Sequence, residues 1–333
     1  MAHDVAVVIV SWNVRALVLE ALRTLQADLA TTSLDAETWV VDNASSDETV
    51  AAIRAEFPQV KLIASDKNLG FAAGNNQALR AIGFNDQPSK ASNSELSESL
   101  PRAVFLLNSD TRVQPGAMQR LYDTMVSRPD AGVIGAQLAY DDGTFQDGAF
   151  ALPGLIQLVI DLFPLGWLPE RLVNRVYGSR LNGRYPRQLY AAGRAFPVGH
   201  TLGATMFIRR EAILQTGLFD EQFFMYCEEI DWSVRIHEAG WQIYCQPNAR
   251  IVHLGGQSTK QVRAESLANL WRSRLRLYAK HYSPVKLWLA RRLVRIGASL
   301  RIRGATRLPL EQQAVTIEAY RTIRDLAAGA ALQ

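Results

Sequence analysis

The feature that most constrains the fold is the alternation of apolar runs and amphipathic segments in the first part of the chain. The apolar runs predict strands at Val5 to Val10, Thr38 to Val41, Val60 to Ala64 and Ala103 to Leu107. The segments between them predict helices at Val14 to Leu25, Asp47 to Phe57 and Gly70 to Ile82, and a fourth helix opened by Pro115. Strand–helix repeats with continuously apolar strands predict an α/β fold with a mainly parallel central sheet flanked by helices.

Polar and glycine-rich segments follow these strands, at the edge of the sheet where α/β folds bind ligands. They are Ser11 to Asn13, Asp42 to Asp47, Asn68 to Asn76 and Asn108 to Asp110. Asp42 suits either a hydrogen bond to a base or ribose, or stabilisation of its own turn. Asn68 to Asn76 suits either close approach of a nucleotide or tight helix–strand packing. The chain lacks the G-x-G-x-x-G and P-loop lysine motifs, which argues against Rossmann dehydrogenases and P-loop kinases.

Three carboxylates crowd one short stretch, at Glu228, Glu229 and Asp231. If Glu229 to Gly240 is a helix, all three lie at its N-terminus, where the helix dipole favours negative charge. Crowding raises carboxylate pKa values, which suits one of the three to accept a proton near neutral pH. An acidic N-cap on a surface helix is the alternative.

Two further side chains are candidates for binding a divalent metal ion. Asp110 ends a predicted strand, and its hard oxygens suit Mg²⁺ or Mn²⁺ bridging a diphosphate. A helix cap is the alternative for Asp110. His253 follows the strand-like pair Ile251-Val252 and is either a structural histidine or a second metal ligand.

Charge is unevenly distributed along the 333 residues. The stretch from Lys260 to Arg307 holds thirteen basic residues and one acid, Glu265, so the rest carries 23 of the 36 basic and 31 of the 32 acidic residues. This asymmetry argues against a general nucleic-acid binder and favours a localised anionic partner, such as phosphates or a membrane surface.

The segment from Val285 to Arg303 predicts an amphipathic helix. One of its faces is apolar and has arginines beside it; the apolar residues are Val285, Leu289, Leu293, Ile296 and Leu300. Such a helix either lies in an anionic membrane interface or packs on its own domain.

The remaining features predict where the chain resides and how it is divided. The N-terminus lacks the basic region of a signal peptide, and the two cysteines have neither metal-ligand spacing nor a disulfide framework. The longest apolar region, Phe150 to Leu168, is interrupted by Pro153, Pro164 and Asp161, and falls short of the roughly 20 apolar residues of a membrane-spanning helix. We therefore expect a cytoplasmic protein with an α/β domain over 1–258, a helical region over 259–333 and a mobile insertion over 85–100.

Six motifs occur in order within residues 5 to 282, and together they resemble the family 2 glycosyltransferases with a GT-A fold, in particular their bacterial rhamnosyltransferase-like branch. They are Val7 to Asn13, Val41 to Asp47, Asn68 to Asn76, Leu106 to Asp110, Gly203 to Arg210 and Phe224 to Asp231. The resemblance implies an inverting, metal-dependent enzyme of cell-surface polysaccharide synthesis. Its donor is expected to be dTDP-rhamnose, or alternatively a UDP-hexose, and its acceptor a hydroxyl of a glycan or polyprenyl-diphosphate-linked sugar. The basic amphipathic C-terminus and the apolar region from Phe150 to Leu168 suggest a lipid-carried acceptor at the inner face of the cytoplasmic membrane.

The resemblance also implies roles for individual residues. Contacts to the nucleotide sugar are expected from Ser11, Asn13, Asp42, Asn68, Gly70, Asn75, Asn108 and Gly203. Asp110 matches the closing Asp of the family's metal-binding D-x-D element, His253 matches a histidine that completes the metal site, and Glu229 matches the general base. Two positions depart from the family pattern, because Asn108 replaces the first Asp of D-x-D and Glu229 replaces an Asp. Asp231 and Glu228 therefore stay open as the base.

Two other functions remain as alternatives. A sugar nucleotidyltransferase shares an α/β nucleotide-binding core, but it should carry a glycine-rich N-terminal loop, whereas the first strand here ends in Ser11-Trp12-Asn13. A non-catalytic carbohydrate-binding protein is the other alternative, and the presence of Asp110, Glu229 and His253 argues against it.

Overall fold

The computed structural model describes residues 3–88, 99–163, 169–256, 263–305 and 309–329. Contacts group the chain into two compact units. The first unit comprises residues 1–150, 187–222 and 229–258, and the second comprises 151–186, 223–228 and 259–333. The second unit therefore includes residues 151–186 besides the C-terminal helices, and the domain boundary at 258 stays a prediction. Most of the predicted insertion at 85–100 lies outside the described residues.

The strands all belong to the first unit. They are β1 (Val5–Ser11), β2 (Ala36–Asp42), β3 (Lys61–Ala64), β4 (Ala103–Asn108), β5 (Thr111–Val113), β6 (Ala131–Ala139), β7 (Phe145–Gln146), β8 (Ala149–Phe150), β9 (Phe196–Pro197), β10 (His200–Thr201), β11 (Thr205–Arg209) and β12 (Gln242–His253). Ten of these form one sheet in the order β3-β2-β1-β4-β11-β6-β12-β5, with β7 paired to β6 and β9 to β12. The strands β8 and β10 form a separate antiparallel pair.

The helices are divided between the two units. They are α1 (Arg15–Leu29), α2 (Thr49–Glu56), α3 (Gly70–Ile82), α4 (Ala117–Ser127), α5 (Leu155–Leu162), α6 (Glu170–Tyr177), α7 (Arg187–Ala191), α8 (Arg210–Thr216), α9 (Glu228–Glu238), α10 (Arg263–His281), α11 (Pro284–Ala305) and α12 (Leu310–Ala328). A short 3₁₀ helix covers Arg180–Asn182. The helices α5, α6, α10, α11 and α12 belong to the second unit.

The predicted α/β fold is confirmed. The strands β3, β2, β1 and β4 pair in parallel, and every residue from Val5 to Ile9 is fully buried, as expected for a strand covered on both faces. The sheet continues through β11, which runs antiparallel to β4 and β6. The sheet as a whole is therefore mixed, with its parallel half formed by the elements that the sequence pattern identified.

Several helix boundaries differ from the prediction: α1 extends to Leu29 instead of Leu25, and α2 begins at Thr49 instead of Asp47. The helix expected to open at Pro115 begins at Ala117, because the Asp28 carboxylate accepts hydrogen bonds from the backbone N–H groups of Gly116 and, at 2.9 Å, Met118. A carboxylate contributed by α1 thus satisfies the free N–H groups of α4. The helix expected over Glu229 to Gly240 runs from Glu228 to Glu238.

The second unit has its own apolar core. It is formed by Leu158 and Leu162 of α5, together with residues of α10, α11 and α12 that include Trp271, Val294 and Ile323. Within the described ranges, no helix combines the length and the hydrophobicity needed to cross a bilayer.

Candidate functional site

The C-terminal ends of β1 and β2 hold a group of buried oxygen atoms. Ser11 and Asp42 are paired in the parallel register of the two strands. Asp42 accepts a hydrogen bond from Ser45 N at 2.9 Å through one carboxylate oxygen. The other oxygen of Asp42, the hydroxyl of Ser11 and the amide oxygen of Asn43 are buried, with no hydrogen-bond partner among the described residues. Because unpaired buried acceptors are costly, this group suits the donor groups of a ligand.

Asn13 joins the loop after β1 to the loop after β2. Its backbone N–H donates to Ser45 Oγ at 2.9 Å, and its amide oxygen accepts from Ser46 N at 2.8 Å. Its φ of 51° lies in the left-handed region, which asparagine tolerates better than most residues. The side chain of Asn13 thus braces the two loops beside Ser11 and Asp42.

The segment that opens α3 is held by its own asparagines. Asn68 accepts from Gly70 N at 2.9 Å, and Gly70 takes a φ of 79°. Asn75 donates to the Phe71 carbonyl one turn earlier, at 2.9 Å. A side-chain carbon at Gly74 would lie 3.0 Å from Val10 of β1, so this glycine serves close helix–strand packing. The side chains of Asn68 and Asn75 therefore shape the start of α3.

Asp110 and His253 meet at the end of β4. The nearest Asp110 carboxylate oxygen lies 3.4 Å from His253 Nε2, and both residues are buried. His253 of β12 pairs with Thr111 of β5, and Thr111 is the residue that follows Asp110. The amide nitrogen of Asn108 lies 3.5 Å from the same Nε2. The structure therefore brings together the two predicted metal ligands and the asparagine that replaces the family's first Asp.

Gln146 is a member of this cluster that the sequence did not reveal. Its amide oxygen faces His253 Nδ1 at 3.1 Å, and the residue is buried at the end of β7. In the neutral tautomer protonated at Nδ1, the ring donates a hydrogen bond to Gln146 and directs the lone pair of Nε2 at the Asp110 carboxylate. No sequence signal pointed to Gln146, because it lies 107 positions from His253.

The donor set at this point fits a divalent cation. A neutral imidazole nitrogen and a carboxylate oxygen are both electron-pair donors, so their close approach is favourable when a cation lies between them. In the part of the chain that the structure describes, no three His, Cys, Asp or Glu side chains are grouped to hold a metal. Two protein ligands suit Mg²⁺ or Mn²⁺, which commonly bind one or two protein groups together with substrate phosphates.

The three acids near the start of α9 have different surroundings. Asp231 is fully buried and accepts a hydrogen bond from Arg235 Nε at 3.0 Å. Arg235 in turn donates to the carbonyls of Thr216 at 2.6 Å and Leu218 at 2.8 Å. Asp231 is thus part of an ion pair that anchors the chain between α8 and α9. Its i, i+4 spacing to Arg235 was visible in the sequence.

Glu229 lies beside Gly203, which the resemblance places among the contacts to the nucleotide sugar. A side-chain carbon at Gly203 would lie 3.6 Å from Glu229 Cβ and 3.7 Å from a ring carbon of Phe71. The residue after Gly203, Ala204, accepts a hydrogen bond from Asn108 N at 3.0 Å. Gly203 therefore links Glu229 to the end of β4, and Asn108 is paired with Val10, the residue before Ser11.

The chain is strained immediately before α9. Tyr226 and Cys227 both take positive φ angles, 71° and 66°, and neither is a glycine. Consecutive residues in this conformation persist only where the surroundings impose it, and they cluster at functional sites. Glu228 follows them as the buried first residue of α9.

The sequence matches one family over most of its length. The model of the family described as "Glycosyltransferase like family 2" matches residues 3–279. A relative from Mycobacterium tuberculosis, named N-acetylglucosaminyl-diphospho-decaprenol L-rhamnosyltransferase, is 28% identical over 292 residues, which cover 85% of this chain and 90% of the relative. The low-salt glycan biosynthesis hexosyltransferase Agl10 of Haloferax volcanii is 25% identical over 269 residues, covering 80% of this chain and 71% of the relative.

Two solved structures share the fold. The mannosyltransferase PcManGT from Pyrobaculum calidifontis, in complex with GDP-Man and Mn²⁺, superposes with a TM-score of 0.52 at 15% identity and covers 98% of this chain and 85% of its own. GalNAc-T7 with UDP, GalNAc and Mn²⁺ superposes with a TM-score of 0.57 at 14% identity, covering 98% of this chain and 57% of its own. The predicted GT-A fold is thereby confirmed.

Proposed function

The chain belongs to glycosyltransferase family 2, and from that membership we propose that it transfers L-rhamnose from dTDP-rhamnose to a lipid-linked sugar, with inversion and with a divalent metal ion. The observation that carries the proposal is the buried pair of Asp110 and His253, with 3.4 Å between a carboxylate oxygen and Nε2. The pair lies at the end of β4, the strand beside β1 and the unpaired oxygens of Ser11 and Asp42. The Asp110–His253 pair would serve the diphosphate of a bound donor, and the unpaired oxygens would serve its nucleoside.

The relatives support the choice of substrates. The mycobacterial relative is named as an L-rhamnosyltransferase acting on N-acetylglucosaminyl-diphospho-decaprenol, which favours rhamnose as the sugar and a polyprenyl-diphosphate-linked acceptor. The haloarchaeal relative is named as a hexosyltransferase, which supports a UDP-hexose as the second candidate donor. Location at the inner face of the cytoplasmic membrane would follow from an acceptor held in the bilayer.

Different residues have different roles in donor binding. Asp110 and His253 would hold Mg²⁺ or Mn²⁺, which supplies neutralisation of the leaving diphosphate when it is bound. Complexes of two structural neighbours contain Mn²⁺, and this supports the same choice here. The free oxygens of Ser11 and Asp42 accept hydrogen bonds from the base or ribose, while Asn13, Asn68 and Asn75 keep the surrounding loops in place.

Glu229 is our candidate for the general base. It removes the proton from the acceptor hydroxyl as that oxygen attacks the anomeric carbon. The bond from that carbon to the diphosphate oxygen breaks as the new glycosidic bond forms, so attack from the opposite side inverts the configuration. Asp231 is less suited to this role because its carboxylate is bound to Arg235. Glu228 remains the second candidate.

The test is turnover with a panel of nucleotide sugars, with Mg²⁺ or Mn²⁺ and a polyprenyl-diphosphate-linked N-acetylglucosamine as acceptor. We expect release of dTDP from dTDP-rhamnose, and we expect Glu229→Gln to reduce kcat by about 10² to 10⁴ because the base is lost. Glu238→Gln is the matched control, since it makes the same change at an exposed position of the same helix.

The outcomes separate the alternatives. Release of UDP alone would identify a UDP-hexose as the donor in place of dTDP-rhamnose. Activity that survives Glu229→Gln but not Glu228→Gln would identify Glu228 as the general base. Nucleotide binding with no release from any donor would argue against the enzyme proposed here. The stereochemistry of the product, measured by NMR, tests inversion separately.

A further inference from the structure

Helix α11 turns most of its large apolar side chains outward, although Leu287 and Leu293 pack against the core of the second unit. The exposed fractions of five outward side chains are 70% for Val285, 58% for Trp288, 38% for Leu289, 45% for Ile296 and 49% for Leu300. The side of the helix that packs into the second unit carries mostly small residues, which are Ala290, Val294, Gly297 and Ala298. In an ordinary amphipathic helix the large apolar side chains pack into the core, whereas in α11 these five are at the surface. We call these five side chains the outward face.

The outward face is part of a wider asymmetry between the two units. Fifteen large apolar side chains are exposed in the described part of the chain. Twelve of them lie in the second unit, and five of those twelve form the outward face of α11. Single exposed apolar residues need no explanation, but a row of large apolar side chains along one helix face marks a surface that meets an apolar partner.

Basic side chains border this strip on both sides. At about 100° per residue, Arg295 projects along one edge and Lys286 along the other, while Arg292 and Arg303 project within the strip. Helix α11 contains six basic residues and no acid. The Arg292 guanidinium lies 5.6 Å from the Trp288 ring and Lys286 Nζ lies 3.7 Å from the Tyr282 ring. Long basic side chains beside aromatic rings can keep their charge at lipid headgroups while the apolar strip enters the acyl boundary.

We propose that the outward face of α11 is a docking surface for an anionic lipid bilayer, on which the helix lies parallel to the membrane plane. Charge decides between this partner and a second copy of the chain. A symmetric contact between two copies would bring the same basic edges together without any acid on α11 to offset them, whereas anionic headgroups complement them. The proposal concerns the membrane itself and goes beyond the sugar transfer proposed above.

The experiment is sedimentation of the full chain with vesicles, in the absence of donor and acceptor. We expect binding to phosphatidylcholine vesicles that contain phosphatidylglycerol, weak binding to phosphatidylcholine alone, and a decline in binding as salt is raised. The double variant Arg292→Glu and Arg295→Glu should lower the partition coefficient by at least about fivefold per charge removed, as expected for basic residues near an anionic surface. Arg301→Glu is its control, since Arg301 is exposed on another side of the helix.

The apolar strip is tested by Ile296→Asp, with Val126→Asp as the matched control. Val126 is 61% exposed and belongs to the first unit. We expect Ile296→Asp to lower vesicle binding by at least tenfold and Val126→Asp to leave it unchanged, with circular dichroism confirming that both fold.

Two outcomes would overturn the proposal. Either full binding by both the Ile296→Asp and the double arginine variants, or no binding of the wild-type chain to anionic vesicles, excludes the outward face as a lipid surface. A concentration-dependent dimer that Ile296→Asp dissociates would assign the face to a second copy instead. Because vesicle binding is measured without substrates, its failure leaves the proposed sugar transfer intact, and that reaction is measured separately with a detergent-solubilised acceptor.

Discussion

Gln146 affects the candidate metal site through the ring of His253. Its amide oxygen lies 3.1 Å from Nδ1 and accepts a hydrogen bond from Nδ1–H. This hydrogen bond favours the tautomer in which Nε2 can bind a cation. We predict that Gln146→Leu weakens Mn²⁺ binding about 10- to 100-fold, the usual range for losing such a partner of a metal-binding histidine. Mn²⁺ titration of the protein without substrates, followed by electron paramagnetic resonance, measures the affinity directly.

Two further variants make this test specific. Gln146→Glu keeps an acceptor at the same position and should restore most of the affinity. Gln246→Leu removes a half-buried glutamine of β12 that donates to Thr124 at 2.7 Å, away from the histidine, and should leave Mn²⁺ binding unchanged. Equal Mn²⁺ affinities in wild type and Gln146→Leu would show that His253 does not depend on this hydrogen bond.

The limits of prediction at this scale follow from sequence distance. Asp42 and Asp110 could be proposed as site residues because each follows an apolar strand, and parallel strands bring such positions to one edge. Gln146 could not be proposed, because its partner is remote in sequence and a glutamine in a two-residue strand has no signature. The pairing of Asp231 with Arg235 could have been read from its helical spacing, and it would have narrowed the candidates for the base.

At the scale of elements, the turn from α8 towards α9 depends on Gly217. Its φ of 70° and ψ of −168° lie in a region that is essentially restricted to glycine. A side-chain carbon there would also collide with the backbone carbonyl of Asp86. We predict that Gly217→Ala lowers the free energy of unfolding by about 2 to 4 kcal/mol, from backbone strain plus overpacking. Denaturant unfolding measures the change.

Gly240 supplies the matched control for that prediction. It also has a positive φ, 91°, but a side-chain carbon there would meet nothing within 4 Å. Gly240→Ala should therefore cost only the strain of the left-handed region, about 1 to 2 kcal/mol. Equal losses in the two variants would mean that the contact with Asp86 relaxes without cost. The carbonyls of Thr216 and Leu218, on either side of Gly217, accept hydrogen bonds from Arg235. Gly217→Ala should therefore also lower kcat, whereas Gly240→Ala should not.

Helix α11 shows what periodicity reveals and what it leaves open. The spacing of its apolar residues predicted the helix and four of the five residues of the outward face, whereas the fifth predicted residue, Leu293, packs against the core of the second unit. The spacing could not decide which side packs inward. The structure shows that Gly297 lies so close to α5 that a side-chain carbon there would be 2.8 Å from Leu162. Small residues permit this close approach, and the larger residues consequently point outward.

For the whole molecule, the part of the fold that could be predicted is the part built from neighbouring segments. The strands β1 to β4 and the helices between them follow a local pattern of strand and helix, which the sequence displays. The antiparallel strand β11 lies between β4 and β6, and its residues pair with partners such as Leu107 and Ile134 that are far away in the sequence, so no local pattern encodes this arrangement. The grouping of residues 151–186 with the C-terminal helices is of the same kind.

A buried histidine links the stability of the first unit to pH. His200 of β10 is buried and stacked on Phe150 with 5.4 Å between ring centroids, and its Nδ1 lies 3.2 Å from the Thr201 carbonyl. Burial is the main cause that lowers the pKa of His200 from 6.5 to about 4, and the charge of His237 lowers it further, while the Thr201 carbonyl partly opposes the shift. The folded protein therefore holds this imidazole neutral where the unfolded chain would protonate it.

The sign of the effect follows from proton uptake. Between about pH 6.5 and pH 4 the unfolded chain binds more protons at His200 than the folded protein does, so stability is complete above that window and falls as the pH decreases through it. The loss at this one residue approaches about 3 kcal/mol near pH 4. We predict that His200→Gln, although less stable at pH 7.5, loses less of its unfolding free energy between pH 6.5 and pH 4 than the wild type. Urea unfolding at pH 7.5, 6.5, 5.25 and 4 measures both slopes, and parallel pH profiles for the two proteins would refute a neutral buried His200.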